Sequence, residues 1–278
     1  MRWSPQVLRR PSWPDGAGPR PLERRTGVDY ETEWARKYPV RLARAMVVDD
    51  LMRPLAHLVC SPRIEGLENL DSLTGPAIFA ANHASHLDTG LLITCLPPSI
   101  RHRTAVAAAA DYFFDRRWKA AAWAFALNSI PMERVKVNRR SAALAADLIE
   151  DGWNLVIFPE GGRTPDGWAQ EFKGGAAYLA ERSRTGVVPT YIHESGWLKG
   201  PRYAKAPLYT DAPSQGRHHV VVAFGEPLRC GEDENMRRFG TRVHEAVARL
   251  GREVSSDPDY GVARPDSDAP DEDTPPEA

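Results

Sequence analysis

The chain has 278 residues, of which 42% are hydrophobic, and a formal net charge of −1 at pH 7. This length and composition allow a sizeable core, and the balanced charge gives no field that favours nucleic acid as a partner. The cysteines, Cys60, Cys95 and Cys230, are scattered and odd in number. They predict a reducing compartment with neither a disulfide framework nor a zinc site.

Two terminal segments differ in composition from the rest of the chain. Residues 1–29 are basic and rich in proline and tryptophan, and residues 253–278 are acidic and proline-rich. Both are predicted to be disordered, which leaves a folded domain at residues 30–252. With no signal peptide or long apolar run, we expect a cytoplasmic protein that contacts the inner face of the cell membrane only peripherally. Trp3 and Trp13 in the basic arm are one candidate contact.

The first half of the domain begins with a helical pattern over residues 31–60, which Pro54 is expected to end or kink. An apolar strand at residues 77–81 follows. Asn82 comes next and is predicted to cap a helix that begins near His83.

Strand and helix patterns then alternate to the end of the domain. Strands are predicted at residues 105–109, 130–132, 154–158, 187–192 and 219–224, and helices at residues 115–127, 141–151, 173–184 and 233–250. Pro189 is compatible with a strand start or a sheet edge, but a plain core strand is the favoured interpretation of its segment. The alternation predicts a single-domain α/β fold with a mixed, largely parallel sheet flanked by helices.

The first candidate site follows the strand at residues 77–81. An imidazole at His83 can accept a proton from an alcohol, and a carboxylate at Asp88 can fold back to fix its tautomer. A His and an Asp at this spacing also occur by chance, so a polar turn without a function is an open alternative. A metal site that uses His83, His86 and Asp88 is a further alternative, which would require ligands such as His193 and Glu194.

The second candidate site is the segment Phe158-Pro159-Glu160-Gly161-Gly162-Arg163-Thr164, which follows the strongest strand pattern of the chain. Its two glycines allow a ligand to approach the backbone, and the Arg163 guanidinium suits a phosphate. Glu160 can hold this guanidinium or bind a substrate hydroxyl. Functional residues of α/β sheets lie at the carboxyl ends of strands, where both candidate sites occur.

Four segments in this order resemble the blocks of the glycerolipid acyltransferase family, the 1-acylglycerol-3-phosphate acyltransferases and their relatives. His83 and Asp88 match its His-x4-Asp block, and the segment at residues 158–164 matches its Phe-Pro-Glu-Gly block. Arg134 matches the end of a looser second block, and Pro189 matches a fourth. The resemblance covers residues 64–250.

The resemblance implies an O-acyltransferase of phospholipid biosynthesis. His83 would be the general base, oriented by Asp88, and the acceptor hydroxyl would attack the thioester of acyl-CoA or acyl-carrier protein directly. The acceptor, a lysophospholipid such as 1-acylglycerol-3-phosphate, would be held by Glu160, Gly161, Gly162, Arg163, Thr164 and Arg134. Neither a metal nor a cofactor is implied.

Gly162 and Glu133 depart from the family pattern, in which Thr and Asp are frequent at these positions. Two alternative functions stay open at this point: an acyltransferase that acts on a glycolipid or another polar alcohol, and a lipid- or CoA-binding protein without catalytic activity.

Overall fold

The computed structural model describes residues 27–85, 87–133, 139–162, 171–193 and 220–255. Most of the two predicted tails lies outside these residues. The described chain begins with a short 3-10 helix, Gly27–Asp29, and ends in a helix that continues to Ser255. The domain limits at residues 30 and 252 stay predictions.

A mixed sheet of seven strands forms the centre of the described part of the chain. The strands are β1 (Arg63–Glu65), β2 (Ala77–Ala81), β3 (Thr104–Ala109), β4 (Ser129–Met132), β5 (Asn154–Ile157), β6 (Gly186–His193) and β7 (Val221–Phe224). Their order is β1-β7-β6-β2-β5-β3-β4. Only the pair β6–β7 is antiparallel, so the predicted fold class, a largely parallel α/β sheet, is confirmed.

Nine α-helices lie in the described ranges, and the two faces of the sheet are covered by helices from this set. They are α1 (Tyr38–Met46), α2 (Arg53–Cys60), α3 (Asp88–Cys95), α4 (Pro98–Arg101), α5 (Ala110–Phe113), α6 (Arg117–Leu127), α7 (Arg139–Glu150), α8 (Gly175–Arg182) and α9 (Met236–Ser255). Short 3-10 helices occur at Glu33–Arg36 and Leu67–Ser72. Within these ranges, no helix is both long and apolar enough to cross a bilayer.

Strand β2 is buried along its whole length because it pairs with β5 on one side and β6 on the other. Its side chains alternate between two cores, as the strand period requires. Phe79 and Ala81 belong to the core under α3 and α6, whereas Ile78 and Ala80 belong to the core under α7, α8 and α9. The end of β2 therefore lies at the edge of the sheet, with one core on each face of the strand.

The first helical region does not end at Pro54, so that part of the prediction is wrong. A π-helical segment, Val47–Met52, directly precedes α2, and Pro54 occupies the first turn of α2. A proline is tolerated in a first turn because the N–H that it lacks has no obligatory partner there. The chain thus stays helical through Pro54, and the helix changes from π to α just before it.

Asn82 does not cap a helix, contrary to prediction. The next helix begins only at Asp88. The Asn82 side chain instead donates to the backbone oxygen of Ile192 (3.0 Å) and accepts from its N–H (2.7 Å). The amide therefore continues the pairing of β2 with β6 beyond the end of the strand.

Pro189 lies inside β6, a strand with neighbours on both sides, so the core strand favoured for this segment is confirmed and the alternative of a strand start or a sheet edge is wrong. Its carbonyl accepts the N–H of Gly225 (2.8 Å), and Val187 exchanges hydrogen bonds with Leu228 on the same side of the strand. Alternate residues of a strand direct their backbone groups to the same side. The proline nitrogen therefore points to the chain between Phe224 and Leu228, where regular pairing with β7 is interrupted.

Arg44 fastens α1 to the rest of the domain. Its guanidinium donates to the carbonyls of Ala35 (2.8 Å), Ala124 (3.2 Å) and Phe125 (3.3 Å). Burial lowers the pKa of the Arg44 guanidinium to about 10, so the group stays protonated at neutral pH. One buried cation thus satisfies three carbonyls from two helical segments.

Replacing Arg44 with methionine is expected to destabilise the fold. It keeps much of the apolar volume but leaves the buried carbonyls without a donor, which costs roughly 1–3 kcal/mol of unfolding free energy. Urea denaturation measures the loss. Arg117→Met is the matched control, because Arg117 is exposed at the start of α6 and a substitution at such a surface position changes stability by about 0.5 kcal/mol or less. Equal stability of the Arg44 and Arg117 variants would contradict this assignment.

Candidate active site

Three carboxylate contacts shape the loop between β2 and α3. The N–H groups of Ala84 and Ser85 donate to Asp88 Oδ2 at 2.7 and 2.8 Å, and the N–H of His83 donates to Glu160 Oε1 at 3.0 Å. A buried backbone donor needs a partner, and here two acidic side chains supply it. The loop is therefore fixed from its first residues.

Asp88 also receives the His83 ring. The distance from His83 Nδ1 to Asp88 Oδ2 is 2.9 Å, which is the predicted contact. The Asp88 side chain is completely buried and lies in the first turn of α3, where the helix dipole favours a negative charge. An ionised Asp88 accepts a hydrogen bond from Nδ1–H, which leaves the lone pair of the neutral imidazole on Nε2. This tautomer is the one that a general base requires.

One face of the His83 ring rests on Phe158. The two ring centroids are 4.2 Å apart with an interplanar angle of 26°. With its Nδ1 bonded and one face covered, the imidazole has little freedom to rotate. Its side chain keeps 14% of its surface exposed, and it lines the large cleft described below.

Glu160 joins the two predicted motifs. It follows β5 by three residues, is 3% exposed, and bonds to the backbone of the residue that carries the imidazole. The sequence predicts that Glu160 contacts Arg163 or a substrate hydroxyl. The bond to the His83 N–H was not among these predictions, because a contact between two loops has no signature within either loop.

Lys173 is a residue that the motifs did not indicate. Gly161 has a positive φ of 75°, and a Cβ at this position would lie 2.5 Å from Lys173 Nζ. The Lys173 N–H also donates to the carbonyl of Pro159 (2.8 Å). The Lys173 side chain therefore lies directly against Gly161. It lines the same cleft as His83. No atom of the described residues lies within 4 Å of the position that a Cβ added to Gly162 would take.

A cleft with a volume of about 1430 Å³ opens at the carboxyl edge of the parallel strands. Of the residues predicted as site residues, His83, Glu160, Gly161 and Gly162 line it. Asp88 is not among the residues that line the cleft, and it contacts the His83 ring from behind. The sheet edge thus brings together two motifs that are 77 residues apart along the chain.

Three of the predicted substrate-binding residues lie outside the described residues: Arg134, Arg163 and Thr164. Their proposed contacts with an acceptor stay predictions. His86 and Glu194 belong to the metal alternative and are also not described. Within the described ranges, no group of three or more His, Cys, Asp or Glu could hold a metal ion.

The cysteines are unsuited to nucleophilic catalysis. All three are unpaired. Burial raises the pKa of the Cys95 thiol to about 12, and it also raises the pKa of Cys60 and Cys230. A thiol reacts as its thiolate, so a raised pKa makes these groups poor nucleophiles at neutral pH.

The arrangement can abstract a proton from a substrate in the cleft. An imidazole with a buried carboxylate on Nδ1 is the base–orienter pair of acid–base catalysis, here carried on an open α/β sheet. The same pair is used by enzymes that activate a hydroxyl. By fold and site, the chain is an α/β protein in which a buried carboxylate holds an imidazole on the wall of a cleft.

Comparison with known proteins finds a family model that matches the part of the chain that carries the site. The family model described as Acyltransferase matches residues 61–193, a range that includes His83, Asp88 and Glu160. This part of the chain is therefore similar to the acyltransferase family.

Two similar curated proteins are named as 1-acyl-sn-glycerol-3-phosphate acyltransferases. The chain is 30% identical over 136 residues to the chloroplastic 1-acyl-sn-glycerol-3-phosphate acyltransferase of Arabidopsis thaliana, an alignment of 48% of this chain and 36% of that protein. It is 30% identical over 155 residues to the 1-acyl-sn-glycerol-3-phosphate acyltransferase of Saccharomyces cerevisiae, with 51% and 46% of the two chains covered. The chain thus spans about a third to a half of the length of these relatives.

A solved structure shares the fold. The 1-acyl-sn-glycerophosphate (LPA) acyltransferase PlsC from Thermotoga maritima superposes with a TM-score of 0.53 over 82% of this chain and 85% of that chain. At 21% sequence identity, this similarity establishes the architecture alone.

The bond from the His83 N–H to Glu160 generates a prediction. Glu160→Ala leaves a buried N–H without an acceptor and should cost roughly 1–3 kcal/mol of unfolding free energy. Glu160→Gln keeps an oxygen that can accept and should retain most of that stability. Thermal denaturation of the two variants measures the difference. Equal melting temperatures of the alanine and glutamine variants would show that this hydrogen bond does not stabilise the fold.

Proposed function

We propose that this protein transfers a fatty acyl group from a thioester, acyl-CoA or acyl-carrier protein, to the hydroxyl of a lysophospholipid such as 1-acylglycerol-3-phosphate. The observation that carries the proposal is the 2.9 Å contact of His83 Nδ1 with Asp88 Oδ2, with the ring on the wall of a large cleft. The similarity of residues 61–193 to the Acyltransferase family model supports the choice of reaction.

The reaction follows from the tautomer of His83. Its Nε2 takes the proton of the acceptor hydroxyl while the oxygen attacks the thioester carbonyl, and Asp88 stabilises the imidazolium that forms. The C–S bond breaks as the new ester forms, and the proton passes from Nε2 to the departing thiolate. No cysteine is needed as an intermediate acyl carrier, in keeping with the raised thiol pKa values. The thioester is a substrate, and the scheme uses no cofactor or metal.

A phosphate-bearing acceptor suits the charges around the glycine turn. Lys173 lies across Gly161 on the cleft wall, and the Arg163 and Arg134 predicted from the sequence would add further cations. An ammonium or guanidinium group binds a phosphate by charge-assisted hydrogen bonds. The same turn offers less to an uncharged glycolipid, which makes the phosphorylated acceptor the better candidate.

His83→Ala is expected to lower kcat by about 10²- to 10⁴-fold, because the general base is removed. Release of free thiol from acyl-CoA in the presence of lysophosphatidate measures the rate. Asp88→Asn should also lower kcat, because it disturbs the tautomer of His83.

His57→Ala is the control for this experiment, since His57 lies in α2 and does not line the cleft. Turnover by the His83 variant at the wild-type rate would refute the mechanism. Tight binding of lipid without turnover of any acceptor would instead favour a binding protein.

The proposal includes peripheral contact with a membrane at its cytoplasmic face. Apolar side chains follow one another at helical spacing along the helical region from α1 to α2 and are exposed to solvent. They are Tyr38 (74% exposed), Leu42 (53%), Met46 (60%), Leu51 (62%), Leu55 (54%) and Leu58 (63%). A contiguous exposed apolar surface of this kind is uncommon on a protein that contacts only water. A lipid surface is the partner that matches it, since both substrates carry acyl chains.

Introducing charge into this surface should weaken membrane binding. The double variant Leu55→Glu/Leu58→Glu is expected to lower the partition coefficient by about 100-fold or more, because each leucine removed from lipid contributes roughly a factor of ten. Sedimentation with phosphatidylglycerol-containing vesicles measures it. Arg182→Glu changes the net charge by the same amount at an exposed position of α8 and should bind more nearly as wild type does. Equal partitioning of both variants would remove this part of the proposal.

A further inference from the structure

The cleft extends around the edge of the sheet to both of its faces. It is lined by four consecutive residues of β3, Val106 to Ala109. Consecutive side chains of a strand point to opposite faces, and Val106 packs in the core with Phe79 whereas Ala107 packs against the other core. The cleft therefore has two lobes, with the His83 segment between them.

The first lobe lies between β3 and α6. Its walls are apolar: Val106, Ala108, Phe113, Trp123 and Leu127. Phe113 and Trp123 meet edge to face with their centroids 5.0 Å apart. This lobe offers an apolar wall to an acyl chain whose carbonyl lies near His83.

The second lobe lies between α7, α8 and α9. Its deep walls are small or apolar and buried: Ala142 (2% exposed), Ala176 (3%), Leu179 (1%) and Ile157 (8%). Gly240 of α9 also faces this space, since a Cβ there would make only an ordinary contact with Ala177, at 3.7 Å. Three helices thus present little side-chain volume to one another.

The mouth of the second lobe is charged. Lys173, Arg237 and Glu171 are exposed and line the cleft, which Glu133 and Glu160 also line. An apolar interior with two cations at its mouth fits a molecule that joins an acyl chain to an anionic head group. The first lobe has no such rim of cations among the residues described.

The volume of the cleft supports two chains. A pocket for one drug-sized molecule measures about 300–1,000 Å³, and this cleft measures about 1430 Å³. A transfer between an acyl donor and a lysophospholipid brings two acyl chains to one reaction centre. The two lobes on opposite faces of the sheet offer a separate place for each chain.

We propose that the α7–α8–α9 lobe binds the acyl chain that the lysophospholipid acceptor already carries, and that the α6 lobe binds the acyl chain of the donor. This inference rests on the proposed function. It adds a lobe that selects the length of the acceptor's acyl chain to the lobe that selects the length of the donor's acyl chain. The acceptor is then selected by a protein wall around its tail, with its phosphate at the Lys173 and Arg237 rim.

A graded series at Gly240 tests the inference. Gly240→Ala adds only a methyl group in ordinary contact, 3.7 Å from Ala177, and is the smallest step of the series. Gly240→Val and Gly240→Leu should progressively shorten the lysophosphatidate chain that gives the highest kcat/KM. Excluding two buried methylenes corresponds to roughly a tenfold loss for the longer acceptors. The preference for donor chain length should stay unchanged, and the valine variant serves if the leucine variant fails to fold.

Trp123→Leu is the complementary variant, because it enlarges the α6 lobe. It should move the donor preference to longer chains and leave the acceptor preference in place. The inference is overturned if Gly240→Leu changes the donor preference, or if it lowers kcat/KM equally for all acceptor lengths.

A separate measurement keeps this test independent of the proposed reaction. If the wild-type protein transferred no acyl group to lysophosphatidate, the proposed function would fail. Isothermal titration with lysophosphatidates of different chain length would then still test the lobe. Weaker binding of the long chains by Gly240→Leu than by Gly240→Ala supports the inference, and equal binding overturns it.

Discussion

A single carboxylate oxygen organises the site. Asp88 Oδ2 accepts from the His83 ring and from the backbone N–H groups of Ala84 and Ser85. The oxygen therefore folds the loop and orients the base at once, since the loop cannot close around Asp88 without bringing the imidazole to it. The other oxygen, Oδ1, is buried without a hydrogen-bond partner among the described residues. An orphaned buried acceptor costs free energy, which the three bonds to Oδ2 offset.

The sheet turns this local arrangement into a cleft. Parallel pairing of β2 with β5 and β6 brings the ends of these strands to one edge. Asn82 bonds to Ile192 across one of these pairs, and Glu160 bonds to His83 across the other. The loop that carries His83 is thus braced by both neighbouring strands. In the proposed reaction, an imidazole held on both sides would require little reorganisation when a substrate arrives.

Patterns within one element were predictable from the sequence, and contacts between elements were not. The apolar run of β2 and the His83–Asp88 contact lie within a few residues of each other, so spacing was enough to find them. The segment of Pro189 could not show how a proline fits inside a central strand, because the interruption that accommodates it occurs in the neighbouring strand. Strand β1 was missed because its three residues, Arg63–Glu65, are too short to show a period. Lys173 was missed because only the folded turn brings it to Gly161.

The antiparallel pairing of β6 with β7 has a consequence for how this fold can diverge. The chain leaves β6 at His193 and enters β7 at Val221, and these two residues pair with each other. Both therefore lie at the edge of the sheet that carries the cleft. A change in the length of the chain between them would leave every strand in register, because its two ends are held side by side. Related chains can lengthen or shorten at this point and alter the surroundings of the site without rebuilding the core.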